Sequence, residues 1–289
     1  MAVNADFTRL NKNEFWRLSM KLVQDNQKNQ PDSNKVSRRS LLRLAAAGAT
    51  VGAVGFTAGR LTAGPADIPD WTYDDIPPQH GRRVIITGAN GYPHEGRSGL
   101  GYHQALGLAR AGADVIIASR NKERGEEAIR RIQADAPGAN VRFETLDLAN
   151  LESVRDFSAR MHASGVGLDL LVNNAGVMGR KEREVGIDGY ERVFATNAIG
   201  PFALTAQLMP LLRNGRSPRI VWMCSARSTF GNLDFNDLQQ EQSYDYAGAY
   251  NDSKQAHLLA ALECERRSKA LGWGIYSIAA HPGVARTNL

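Results

Sequence analysis

Residues 83–90 read RVIITGAN, Gly99-Leu100-Gly101 follows shortly after, and together they decide the fold. Val84-Ile85-Ile86 is a short β-branched run, the composition of a buried strand, and it ends on Thr87-Gly88-Ala89-Asn90. Gly99 and Gly101 then open a helical pattern. Glycines at such a turn let the backbone approach a pyrophosphate, whose charge the N-terminus of the next helix stabilises. The seven residues Gly91 to Arg97, GYPHEGR, stand between the two halves of the turn.

Outward from this turn, β-branched runs alternate with longer helical patterns. Strands are predicted near 83–87, 113–119, 141–146, 168–173, 219–224 and 274–280, and helices near 99–111, 121–135, 150–163, 188–213 and 247–271. Strands separated by helices pair in parallel through right-handed crossovers. The expected fold is therefore α/β, a doubly wound parallel sheet of Rossmann type forming a single domain over residues 82–289.

Near the end of the chain, Tyr250-Asn251-Asp252-Ser253-Lys254 sits 25 residues after Ser225 and 53 after Asn197. Tyr and Lys spaced i,i+4 on a helix share one face, which brings an ammonium near a phenol. An unperturbed phenol titrates at about 10, and a nearby positive charge lowers that value. Ser225 would then hold a substrate oxygen.

These motifs, each at a strand end or on the helix where it belongs, resemble a short-chain dehydrogenase/reductase over about residues 82–289. Thr87, Gly88, Gly99 and Gly101 match the family's TGxxxGxG once Gly91 to Arg97 are set aside as an insertion. Asn173-Asn174-Ala175-Gly176 matches its NNAG, Asp147 its adenine-contacting Asp, and Asn197, Ser225, Tyr250 and Lys254 its catalytic tetrad. His281-Pro282-Gly283 and Thr287 match the PG turn and the Thr near the nicotinamide. The resemblance implies that Tyr250 is the acid/base, Lys254 lowers its pKa and holds the nicotinamide ribose, Ser225 orients the carbonyl, and Asn197 holds a water. Thr87, Gly88, Asn90, Gly99, Leu100, Gly101, Asp147, Leu148, Asn174, Ala175, Gly176, Pro282, Gly283 and Thr287 would join Tyr250 and Lys254 in binding cofactor.

The context of Asn197, TNAIGPF, and the ending HPGVARTNL look like the retinol-dehydrogenase-like branch, which implies a lipophilic aldehyde, ketone or alcohol as substrate. Arg120 ends the second strand. A guanidinium there attracts a 2′-phosphate where an acid would instead accept from a ribose 2′-hydroxyl, which points to NADP(H). Plainer roles stay open: Asp147 as a helix cap before residue 150, Asn173 and Gly176 as structural residues, Ser225 as a strand end, Asn197 as a polar kink. The insertion either bulges outward or spoils the site. The family also continues past the PG turn with a lid helix pair and a seventh strand, while the sequence stops six residues after Gly283; a fragment or an open substrate side is expected. A non-catalytic nucleotide-binding protein is the alternative.

The net charge of +5 divides unevenly. Residues 1–63 hold ten Lys/Arg against four Asp/Glu, so residues 64–289 carry 25 basic and 26 acidic side chains and give no argument for nucleic acid. Within the leader, Ser37-Arg38-Arg39-Ser40-Leu41-Leu42 precedes an Ala/Gly-rich run to Gly59, resembling a twin-arginine export signal. This predicts a leader over 1–66 cut before Asp67, passage through a twin-arginine translocon and a periplasmic or exported protein, with a cytoplasmic one as alternative. Arg43 and the glycines argue against a spanning anchor. Residues 67–81, rich in proline and acid, read as a linker or an arm laid on the surface. Cys224 and Cys264 read as small core residues, and His94, Glu95 and His103 lack the spacing of a metal site. Partners are a small carbonyl or alcohol and, as the family implies, a second copy of the chain.

Overall fold

A computed structural model of the chain describes residues 72–283 together with Ala285 and Thr287. The expected leader, with Arg38 and Arg39, lies outside the described residues, as does the start of the linker.

Six strands form one parallel sheet: β1 (Arg83–Thr87), β2 (Asp114–Ser119), β3 (Val141–Thr145), β4 (Leu170–Asn173), β5 (Arg219–Met223) and β6 (Tyr276–Ala280). Their spatial order is β3-β2-β1-β4-β5-β6. The order reverses between β1 and β4, and in such sheets ligands settle outside the carboxyl ends of the strands at that reversal. Side chains alternate along each strand and so divide the core in two. Val84 and Ile86 of β1 join Val115 and Ile117 of β2 on one face, under α1 (Leu100–Arg110) and α2 (Lys122–Asp135). Ile85 and Ile116 point the other way, beneath α3 (Leu151–Ala163) and the later helices. Both faces are covered, which is why β1 and β2 carry continuous Val/Ile runs. Each fully buried Ile or Leu side chain adds about 1.5–3 kcal/mol.

The helix starts are set by local chemistry. Asn121 and Asn150 turn their side chains to the first N–H groups of α2 and α3. The sequence predicted one helix over 188–213, and the structure differs. Residues 186–190 form a turn with Gly189 at φ +76°. Glu191 then accepts from the N–H groups of Val193 and Phe194 and starts a single turn, α4 (Arg192–Phe194). A π turn over Ala195–Ile199 follows, in which the Gly200 N–H reaches Ala195 O, before α5 (Gly200–Arg213) continues. Gly200 faces the Leu148 carbonyl with no room for a Cβ, and Pro201 brings no N–H for the Asn197 carbonyl. The long helix α6 (Tyr246–Leu271) begins on Asp245, which accepts from the Gly248 N–H, and ends on Gly272 in the left-handed region. Cys224 and Cys264 are free thiols, the first buried and the second partly so.

The described part of the arm, Thr72–Gly81, lies against α1. Thr72 and Asp75 form a capping box around the 3-10 turn Tyr73–Asp75, and the Gln79 N–H donates to Ala111 O at 2.7 Å.

Candidate active site

The turn between β1 and α1 is fixed mainly by backbone. Thr87 is fully buried, and its hydroxyl donates to Val172 O while accepting from the N–H groups of Asn174 and Ala175. The Asn174 amide returns a bond to Thr87 O at 2.8 Å, so the ends of β1 and β4 brace each other. Gly88 is left-handed at φ +69°, and a Cβ there would lie 2.9 Å from Ala175 Cα. At Gly101 a Cβ would come within 2.5 Å of Asn174 Nδ2 and 3.0 Å of Gly88 O. Thr87 and Gly101 therefore sit behind the ligand surface and shape it, while Gly88, Asn90, Gly99 and Leu100 line it. Gly99 starts α1 with no side-chain cap, leaving the first N–H groups of that helix for an anion.

The insertion is extruded. Gly99 N–H closes on Gly91 O at 2.6 Å, and His94 and Arg97 exchange both backbone bonds across a tight turn with Glu95 and Gly96 at positive φ. Two guanidiniums of α2 stand over the Tyr92 ring, Arg131 at 4.3 Å and Arg124 at 5.5 Å from its centre, and Arg131 also donates to Pro93 O. The loop thus bends outward onto α2, and none of Tyr92 to Ser98 lines the cleft.

The cleft at the β1/β4 reversal has a volume of about 500 Å³. At the end of β2 it meets Arg120, exposed and without a charge partner among the described residues. Three neighbours that the sequence reading missed line it there as well: Ser119, Asn121 and Arg124. Among the described residues, Ser119 Oγ is buried without a hydrogen-bond partner and Arg124 has no carboxylate partner. Their adjacency to Arg120, one at the strand end and one in the next helical turn, was the available signal. Farther along, Asp147, Leu148, Ala175 and Gly176 form the wall. Asp147 does not cap α3, because Asn150 does; its carboxylate accepts from the Ala149 N–H and stays at the cleft. Pro282 and Thr287 reach the cleft, whereas Gly283 is exposed beyond it.

At the far end stand Tyr250 and Lys254, one turn apart on α6 and both lining the cleft. Ser225, just after β5, lies close enough to the Tyr250 phenol to favour its ionised form, while its hydroxyl accepts from the Arg227 N–H at 3.2 Å. Burial pushes that phenol above its ordinary value, against the lowering effects of the Ser225 hydroxyl and the Arg227 charge. Lys254 was expected to pull Tyr250 down. Its Nζ lies 5.9 Å from the Tyr250 ring centre and donates to Met223 O at 2.8 Å. Burial lowers Lys254 itself to about 8, the neighbouring Cys224 opposing weakly.

Asn197 stands behind this pair, fully buried in the π turn. Its amide accepts from Val177 N–H and donates to Val177 O and Ser253 Oγ, so the side chain ties the segment after Gly176 to α6. Gly176 completes that contact: a Cβ there would lie 3.4 Å from Lys254 Nζ. His257 is buried edge-on against Trp222, ring centres 5.0 Å apart. Its ring nitrogens face the carbonyls of Asn173 and Asn197 without well-formed hydrogen bonds, and burial lowers it to about 3. Met223 and Cys224, read as strand core, also touch the cleft.

Comparison with known proteins adds a family to this geometry. Residues 82–289 match the model described as short chain dehydrogenase. The chain is 40% identical over 218 residues to polyprenol dehydrogenase of Mus musculus, covering 74% of this chain and 63% of that protein. It is 37% identical over 252 residues to retinol dehydrogenase 13 of Homo sapiens, covering 87% and 71%. It thus spans less than two thirds of the mouse protein's length. The crystal structure of an uncharacterized protein from Mycobacterium paratuberculosis superposes with a TM-score of 0.64 at 40% identity, covering 76% of this chain and 74% of that one.

Proposed function

The chain belongs to the short-chain dehydrogenases, and on that premise we propose that it is an oxidoreductase moving hydride between NADP(H) and a lipophilic carbonyl or alcohol. The observation that carries this is Tyr250 and the buried Lys254 lining one end of the cleft, with Ser225 beside the phenol. The other end suits a phosphorylated dinucleotide: a glycine turn that a Cβ would fill, the uncapped start of α1, and the orphan Ser119 hydroxyl flanked by Arg120 and Arg124. Two guanidiniums without carboxylate partners among the described residues favour a 2′-phosphate over a bare hydroxyl. The extruded insertion removes the main reason for a non-catalytic reading.

Once bound, the nicotinamide supplies or accepts the hydride. Tyr250 gives its proton to the carbonyl oxygen in reduction and takes one from the alcohol in oxidation. Ser225 holds the same oxygen and stabilises charge developing on it. Lys254, free to exchange its bond to Met223 O for a cofactor hydroxyl, brings positive charge to the site below about pH 8. The raised Tyr250 keeps its proton at neutral pH, the form that can protonate a carbonyl oxygen. Asn197 acts by holding the Val177 segment against α6.

Two relatives are named for a polyprenol and a retinol, which supports a long apolar substrate. The test is NADPH-dependent reduction of a panel of long-chain and isoprenoid aldehydes by the full chain. Turnover that vanishes in Tyr250→Phe is expected; turnover equal in the variant sinks the mechanism. The leader adds a second proposal, export of the folded, cofactor-loaded protein through the twin-arginine route. Replacing Arg38 and Arg39 by Lys is expected to hold it in the cytoplasm, and unchanged processing and export would overturn that.

A further inference from the structure

We propose that the N-terminal arm, through Tyr73 and His103, positions the end of the glycine turn that receives the cofactor phosphates. His103 lies in the first turn of α1 and is engaged on both sides. Its Nδ1 is 2.7 Å from the Tyr73 hydroxyl and its Nε2 is 2.8 Å from Ser98 Oγ. Ser98 is the last residue before Gly99, whose N–H closes the insertion onto Gly91 O. One imidazole thus joins the arm, the helix start and the base of the extruded loop.

The arm end of this chain is itself held. The Tyr73 ring lies over α1 where Gly107 makes room, since a Cβ there would come within 3.0 Å of Tyr73 Cδ1 and 2.8 Å of Ile76 Cδ1. Arg110 stands 5.2 Å from the ring centre on one side. Burial raises Tyr73 above its ordinary value, so the phenol stays protonated. A phenol is a better donor than an aliphatic hydroxyl. We therefore assign Tyr73 O–H as donor to Nδ1 and Nε2–H as donor to Ser98, with the Ser98 hydrogen left uncommitted.

The insertion explains why such a tether matters. Seven extra residues add conformational freedom at the one point where successive N–H groups must converge on an anion, and ordering them upon binding costs affinity. Gly91–Gly99 closure alone is a single bond at the hinge; the His103 bridge adds a second anchor, on an element that does not move with the loop.

The inference rests on the reading that the cleft takes a nicotinamide dinucleotide. It is tested by fluorescence titration of the full chain with NADPH, comparing wild type, Tyr73→Phe, Ser98→Ala and the double variant, alongside thermal unfolding without cofactor. Each single variant is expected to raise Kd about fivefold to tenfold, the range of one hydrogen bond, and the double variant little more, because both break the same chain. Wild-type binding with an unchanged Kd in Tyr73→Phe overturns the proposal, even if the Tm falls, since a merely structural contact would move the Tm alone. Single effects that multiply in the double variant overturn it too. A wild-type chain that binds neither NADPH nor NADH overturns the cofactor reading, and this inference with it.

Discussion

At the β1–α1 end of the cleft, Gly88 and Gly101 approach Ala175 and Asn174 so closely that no Cβ fits, and the surface offered to a ligand is mostly backbone. At the β5–α6 end the surface is Tyr250 and Lys254, with Ser225 beside the phenol, and their chemistry depends on burial and on their neighbours. The first end is preorganised by shape and tolerates no added atom. The second is tuned by charge and tolerates isosteric change in shape but not in protonation. Substitutions at the two ends should therefore fail in different ways.

The largest separation is expected from Tyr250→Phe. Loss of a general acid lowers kcat by about 10²- to 10⁴-fold, while NADPH affinity stays within about threefold because the ring still packs. A large change in Kd, measured by titration, would mean that the catalytic end also shapes the cofactor site.

His257 sharpens the electrostatic side of the contrast. Its folded value of about 3 lies below the ordinary 6.5, so the unfolded chain binds the proton more strongly. Stability is then fully present above pH 6.5 and falls as pH drops toward 3, by a few kcal/mol in total. His257→Gln should flatten this acid limb in unfolding midpoints recorded from pH 7 to 4. An unchanged limb would assign acid sensitivity to other groups.

At the rigid end, Gly101→Ala forces a methyl group against Asn174 Nδ2, Ala89 Cα and Gly88 O. The expected cost is about 1–3 kcal/mol of stability together with weakened NADPH binding. Intact stability and binding in this variant would show that the turn yields more readily than its packing indicates.

These two ends were not equally legible in the sequence. All six strands fall where they were predicted; the inner β1 and β2, covered on both faces, show the clearest Val/Ile runs, whereas β6 keeps Tyr276 and Ile278 exposed. The glycine turn could be read despite its insertion, since Gly99 and Gly101 mark the helix start wherever the loop goes. The helix over 188–213 was misjudged because periodicity cannot see that Pro201 lacks an N–H or that Gly200 must meet the Leu148 carbonyl. Lys254 was placed on the right helix face, but its bond to Met223 O and its desolvation come from the end of β5, a tertiary neighbour that local spacing does not report. The Tyr73–His103–Ser98 chain was invisible for the same reason, whereas Ser119 and Arg124 could have been read from their adjacency to Arg120.

The most direct measurement is a parallel fluorescence titration of the full chain and its Arg120→Ala variant with NADPH and NADH. The expected result is tighter binding of NADPH by wild type, with about a tenfold loss in Arg120→Ala for NADPH alone, the scale of a charge-assisted contact to a 2′-phosphate. Binding of neither nucleotide, or NADH bound as tightly as NADPH and indifferent to Arg120, would contradict a cleft built for NADP(H).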